Sequence, residues 1–486
     1  MKNNKVFGLL RTFSKEEFRE FGKFIASPFF AKGRNVVPLY RYLRKYYPEF
    51  DSPKMTYEDA FAKIFPGKKI GLQVLKNLLS VMQKMSEEYL FEINIRRDKL
   101  DYYVHLGDEL QNRRQFIAAE KNLNEGLKEA DNRGAEMSYF YYSYTLEKLK
   151  DQMFLKRSDD RSRTKTTYNL SSGFLSYFIT ETKDVFESIH IMEYNSNLSP
   201  VRNPLYIFMK NFVKLDDYII YLRNSQPEFS EIDEMHIHLI KLCINGEDEA
   251  SYLRLRELLR NNFNKISRLE AFYTYGSLER IVTLLELKSP KYKNELFEVY
   301  KEMLKYNIYR NTENGFISAA RFTSIVVQAV AAGDHNWANN FIKEYKNKIL
   351  PEFRESRHKH ALALLEFEQR NFEKALKLIS RIKYEAFAFR YYLKSLQLKI
   401  YYELNMYDEA ISLIDTFRHF LRTTKSLPQF RKDRYAAFIK FTSSLLRAKD
   451  KKQDYSMVNL KSEIENDQML VEKKWLLEKA GELVIN

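Results

Sequence analysis

Eight histidines and a single cysteine are the residues of this 486-residue chain from which a metal centre or a nucleophile would be built. No two histidines stand four apart, the spacing that puts both imidazoles on one helix face. His236 and His238, like His358 and His360, are two apart, which turns them about 200° from one another on a helix. There is no His-Glu-x-x-His, and no carboxylates cluster with histidine at ligand spacing. Cys243 alone permits neither an intrachain disulfide nor a cysteine zinc cluster, and its apolar run, Leu239-Ile240-Lys241-Leu242-Cys243, predicts a buried thiol. The nucleophile elbow, the phosphate-binding loop and the dinucleotide fingerprint are all missing. Pro66-Gly67-Lys68-Lys69 has the look of a phosphate loop but lacks a preceding strand and a Ser or Thr after the lysines. Carboxylates are plentiful but interleaved with bases, as at Lys121, Glu125 and Lys128, a pattern of solvated ion pairs. The expectation is a protein that is not an enzyme, with no catalytic, cofactor-binding or metal-binding residues.

Charge gives the sharpest candidate for binding. The chain carries a formal +15, and residues 1–100, with 20 Lys+Arg against 11 Asp+Glu, hold +9 of it. A short helix from Tyr57 to Phe65, a tight turn from Pro66 to Lys69 and a longer helix beginning near Ile70 could form a helix-turn-helix. Lys68, Lys69, Gln73, Lys76 and Asn77 would then be available to phosphates or bases. The plain alternative is a helical hairpin with solvated lysines. Runs such as Tyr139-Phe140-Tyr141-Tyr142 could stack nucleobases, but consecutive aromatics on a helix point in different directions and serve packing.

The elements that would position these residues are helices. Glycine and proline together number 25, few for the length, and the segments between them are long enough for one helix or two. Ser14-Lys15-Glu16-Glu17 reads as a capping box opening a helix whose apolar stripe is Phe18, Phe21, Phe24 and Ile25. A second helix is expected from Val37 to Tyr47. The polar stretch Lys156–Thr167 is expected as an inter-helix loop or exposed helix end, and Leu470–Val484 as a helix folding back as a cap. No window approaches 18 uninterrupted apolar residues and the N-terminus lacks a signal-peptide core, so no membrane insertion and a cytoplasmic location are expected.

Two segments near the C-terminal end repeat one pattern. Asn371-Phe372-Glu373-Lys374-Ala375-Leu376-Lys377-Leu378-Ile379 aligns with Met406-Tyr407-Asp408-Glu409-Ala410-Ile411-Ser412-Leu413-Ile414, placing Ala375 and Ala410 35 residues apart. A third copy brings Ala338, 37 residues before Ala375. A small residue there lets paired helices approach closely, while Ile379 and Ile414 fill the next groove. Ala363 and Leu398 stand twelve residues before two of the alanines, and Tyr401 suits the aromatic position of a first helix. This spacing resembles the tetratricopeptide repeat, though Glu366 and Leu398 depart from its usual residues. Several phrases, among them Tyr292–Lys301 and Leu398–Phe420, also resemble a group of uncharacterised bacterial helical-repeat proteins.

The resulting expectation is an all-α chain, an α-solenoid of antiparallel helix pairs. It would comprise a basic helical domain over 1–100, degenerate repeats over 101–330, tetratricopeptide-like repeats over 331–448 and capping helices over 449–486. What the resemblance implies is a scaffold or adaptor that binds a protein or peptide. The alternative is a DNA-binding transcriptional regulator with a repeat-based sensor.

Overall fold

The structure is a computed structural model. It describes all residues except 2–3, 31–34, 69–70, 134–136, 197–202, 226–229, 247, 313–314, 383–388, 425–426, 428, 451–456, 468–469 and 486. Among the described residues it is all-α, with 24 α-helices and no strand beyond one isolated bridge between Ile317 and Ile349. None of these helices is long and apolar enough to cross a membrane. The chain divides into two compact units, Met1–Asn132 with Thr145–Thr167, and Arg133–Tyr144 with Tyr168–Asn486.

The first unit opens with α1 (Lys5–Leu10), α2 (Lys15–Phe24), α3 (Val37–Leu43), α4 (Tyr57–Ile64) and α5 (Leu72–Arg97). The expected capping box is present: Ser14 Oγ accepts from Glu17 N and Glu17 returns the bond to Ser14 N. The helix expected to reach Tyr47 stops at Leu43, and a 3-10 turn over Arg44–Tyr46 finishes it. The core of this part is aromatic. Phe7, Phe21 and Phe50 are fully buried, and Phe18 stacks on Tyr47 at 4.3 Å between centroids.

α6 (Lys99–Asn112) and α7 (Phe116–Asp131) then form a tightly closed hairpin. A Cβ on Gly126 would lie 2.9 Å from Tyr103 Cβ, and one on Gly107 would lie 2.6 Å from Leu123 Cδ2, so glycine is what lets the axes approach. α8 (Met137–Lys156) and α9 (Asp160–Ser196) follow, and the unit division falls inside both. Of the two arrangements expected for Lys156–Thr167, an inter-helix loop or an exposed helix end, most of the stretch is the second, the largely exposed first turns of α9. Only Arg157–Asp159 break the helices, with Ser158 at φ 54° and Asp159 Oδ1 accepting from Ser162 N.

The second unit continues with α10 (Pro204–Phe212), α11 (Leu215–Ser225), α12 (Ser230–Ile244), α13 (Glu249–Asn261), α14 (Arg268–Lys288), α15 (Glu295–Lys305), α16 (Ala319–Ala331) and α17 (His335–Tyr345). It ends with α18 (Pro351–Glu368), α19 (Phe372–Ile379), α20 (Arg390–Glu403), α21 (Tyr407–Thr423), α22 (Gln429–Lys449), α23 (Met457–Asn466) and α24 (Lys473–Ile485). α16 packs on α17 and α18, α18 on α19 and α20, and α20 on α21. α24 lies against α22 and α23, and its Trp475 Nε1 and Lys479 Nζ both bind Glu403 of α20, at 2.8 and 3.1 Å.

One turn recurs. Arg114, Ser158, Asn307, Gly333, Arg370 and Asn405 have φ between 54° and 82°, each two residues beyond the end of its helix. In every case the N–H of this residue bonds the carbonyl three back, and the next N–H bonds the carbonyl five back. Arg370 N–Phe367 O at 2.9 Å and Asn371 N–Glu366 O at 2.8 Å are one such pair. This is the Schellman arrangement, which satisfies helix-end carbonyls with main chain alone. The residue after the left-handed position caps the next helix with nearly constant angles: Gln115 (−85°, 59°), Asp334 (−90°, 67°), Asn371 (−86°, 62°) and Met406 (−84°, 73°).

Candidate functional site

The residues singled out by charge sit on the α4–α5 hairpin. Lys68 is exposed, 5.8 Å from the Phe65 ring, after a turn in which Gly67 holds φ 78°. Lys69 lies outside the described residues. Gln73 and Lys76 are exposed on the first turns of α5, Asn77 is half-buried, and Gln73 Nε2 donates to Asn77 Oδ1 at 3.0 Å. Leu72 and Val74 stand exposed among them, 40% and 41%, so this face mixes apolar with basic groups.

The repeat residues are packing residues. Ala338, Ala375 and Ala410 are fully buried, Ile379 and Ile414 nearly so, and half-buried Tyr401 accepts a hydrogen bond from Gln397 Nε2 at 2.7 Å. The residues twelve before the alanines, Val326, Ala363 and Leu398, are equally buried. Gly107 and Ala119 of the α6–α7 hairpin are buried at the same offset of twelve.

A concentration of buried polar groups for which the sequence carries no motif lies on α12. α12 is enclosed on all sides, with Ile232 through Ile240 buried without a break. Four of those residues are polar, and each must find a partner from a neighbouring helix. Asp233 Oδ2 accepts from Ser176 Oγ of α9 at 2.7 Å. Glu234 is clamped by Arg223 of α11 and Arg254 of α13, at 2.6 and 2.8 Å. His238 Nδ1 meets Ser251 Oγ at 3.0 Å, and His236 faces Thr180 of α9 and Glu270 of α14.

His236 opens onto a buried ionic seam. Lys183 Nζ binds Glu270 Oε1 and Asp184 Oδ1, each at 2.8 Å, and His236 Nε2 lies 3.0 Å from the same Glu270 oxygen. An ionised Glu270 requires Nε2 to carry the proton, leaving Nδ1 to accept, and the Thr180 hydroxyl proton is shared between Nδ1 and the Ser176 carbonyl. One turn along α9, Glu187 accepts from Ser277 Oγ at 2.5 Å. Burial pushes the Glu270 carboxyl up, but Lys183 and His236 outweigh it and hold it well below the usual carboxylate range. Burial likewise pulls Lys183 down, and Glu270, Glu187 and Asp184 more than restore it. Glu187 and Asp233 lack a sufficient counter-charge, so burial lifts each to about 7 against the pull of Lys183 and Ser277 on the first and Ser176 on the second. Burial lowers His236, against the opposing pull of Glu270. With Lys183 at 1%, His236 at 0% and Glu270 at 5% exposure, these groups meet one another and not a solute.

His236 and His238 point to different neighbours, and among the described residues no group of three or more His, Cys, Asp or Glu could hold a metal ion. Cys243 is buried, with its carbonyl 2.6 Å from His190 Nε2. The surface is where unspent apolar groups lie. Tyr144 stacks on Tyr177 at 6.0 Å and meets Phe174 at 5.5 Å, and Tyr141 lies 5.8 Å from Tyr177. Comparison of the chain with family models, with curated proteins and with solved structures gave no match.

Proposed function

We propose that this chain is a non-enzymatic cytoplasmic scaffold, an α-solenoid of antiparallel helix pairs built in the manner of tetratricopeptide repeats, that holds a protein or peptide partner on its surface. The observation that carries this reading is the recurring hairpin: one turn, one pair of backbone conformations, and buried residues twelve apart across it. The packing of α16 on α17 and α18, of α18 on α19 and α20, and of α20 on α21 supports it, as stacked helix pairs would pack in this order. The polar chemistry is sealed between helices, which fits a rigid support better than a reaction site. The test is capture of the tagged chain's partner from native lysate after nuclease treatment. A stoichiometric protein retained by the parent is expected. Turnover of a substrate that a single pocket substitution abolishes would defeat the reading.

A second reading draws on exposed Lys68, Gln73 and Lys76 within a region of +9: that the N-terminal hundred residues contact DNA, as in a transcriptional regulator. Duplex binding would then weaken with salt by about 0.9 log–log slope units per phosphate neutralised. Unchanged mobility of a labelled duplex at low salt removes it.

A further inference from the structure

α9 is 37 residues long, and from Phe174 onward one stripe stays partly exposed. Phe174, Phe178, Glu181, Val185, Ser188 and Met192 follow one another at intervals of four, three, four, three and four. That is the spacing of a seam that receives another helix. Phe174, Val185 and Met192 are 48%, 37% and 53% exposed, while Ser188 is exposed and Phe178 and Glu181 half-buried. The stripe spans about 27 Å at the rise of an α-helix, room for five turns of a partner. Tyr141, Tyr144 and Tyr177 form an aromatic wall beside its first turns.

The charges on this stretch identify what would lie there. Between Phe174 and Met192 the only Lys or Arg is Lys183, and it is buried against Glu270 and Asp184. The carboxylates that reach the surface are Glu181, inside the seam, and Asp184, one third exposed. The adjoining turns of α8, Met137–Tyr144, carry no charge at all. In a chain of net +15 this face is apolar and acidic, the complement of a helix with an apolar stripe flanked by bases. We infer that the outer stripe of α9, from Phe174 to Met192, is the docking face for a basic amphipathic helix of a partner protein. This rests on the scaffold reading and assigns it a surface and a ligand chemistry.

The test uses the full-length chain and labelled synthetic 21-residue peptides followed by fluorescence anisotropy. One has leucines at heptad spacing flanked by lysines, one the same leucines flanked by glutamates, and one is the basic peptide scrambled. The basic peptide is expected to bind at least about tenfold more tightly than the others, and less tightly as salt rises. The double change Phe174→Ser with Val185→Ser is expected to weaken it about tenfold, with helicity and melting unchanged. Glu181→Lys is expected to shift preference toward the acidic peptide. Equal binding of the three peptides, or binding indifferent to both variants, overturns the inference. So does sedimentation of the parent as a dimer and of the double variant as a monomer, which makes the stripe a self-interface. The scaffold reading is judged apart: a stoichiometric lysate partner retained equally by parent and double variant leaves it standing while this face fails.

Discussion

Lys183 Nζ lies 2.8 Å from Glu270 Oε1 with both side chains almost entirely withdrawn from solvent, and His236 reaches the same oxygen from α12. The pair ties α9 to α14 across a sequence separation of 87. Two buried opposite charges contribute little net stability relative to a well-packed apolar pair, but one of them alone is costly. Lys183→Met is therefore expected to destabilise the protein by roughly 3–5 kcal/mol in denaturant unfolding. Lys183→Met combined with Glu270→Leu is expected to recover most of that loss. A double variant as unstable as the sum of its singles would show that the two residues act independently.

Asp233 and Glu187 give the protein an unusual dependence on pH. Their folded values near 7 lie above the unfolded carboxylate range, so between about pH 4 and 7 the native state holds protons that the unfolded chain has released. Stability from these two groups is present at low pH and is lost as pH rises through 7. Glu270 works the other way: its lowered value contributes stability above the ordinary carboxylate range, lost as pH falls. Melting temperature should peak in mildly acidic buffer. Asp233→Asn should be the more stable protein at pH 8.5, by about 1 kcal/mol or more, with an advantage that shrinks steadily as pH falls toward about 4. Equal pH profiles for parent and variant would exclude Asp233 as the source.

The recurring turn offers a conformational test. Arg114 occupies the left-handed region at φ 58°, where a Cβ costs about 1 kcal/mol and glycine costs none. Arg114→Gly is expected to raise stability by about 0.5–1 kcal/mol, and Gly333→Ala, at φ 82°, to lower it by about 1 kcal/mol. Opposite signs at the two positions are the prediction, and thermal unfolding reads them directly.

Close approach in the α6–α7 hairpin can be tested at Gly126. A branched side chain there meets Tyr103 Cβ and buried Leu146, neither with room to move. Gly126→Val should lower stability by roughly 1–3 kcal/mol through overpacking. A neutral result in denaturant unfolding would mean the helices part at little cost.

Which of these features the sequence discloses follows from how local each one is. The capping box at Ser14 is a four-residue matter and is found where its letters stand. The alanines at 338, 375 and 410 disclose close helix approach because one small residue type recurs at nearly constant spacing. The turn itself stays hidden, because five of its six left-handed positions carry Arg, Ser or Asn instead of glycine. The ionic seam is hidden for another reason. Asp233, Glu234, His236 and His238 have the composition of a solvated face, and the groups that bind Asp233 and His236 lie 34 to 57 residues away. One sign was available: Ile232, Met235, Ile237, Leu239, Ile240 and Leu242 leave α12 no polar side to turn to water.

Since the joints between paired helices are closed by main-chain bonds, different side chains can stand at the left-handed position while the path of the backbone is preserved. Arg370 with Asn371 and Asn405 with Met406 are two such joints, alike in backbone and different in every letter. The 35 residues from 371 to 405 therefore begin and end on interchangeable connectors. A chain jointed in this way can be lengthened or shortened by a whole segment without any new connector having to be invented.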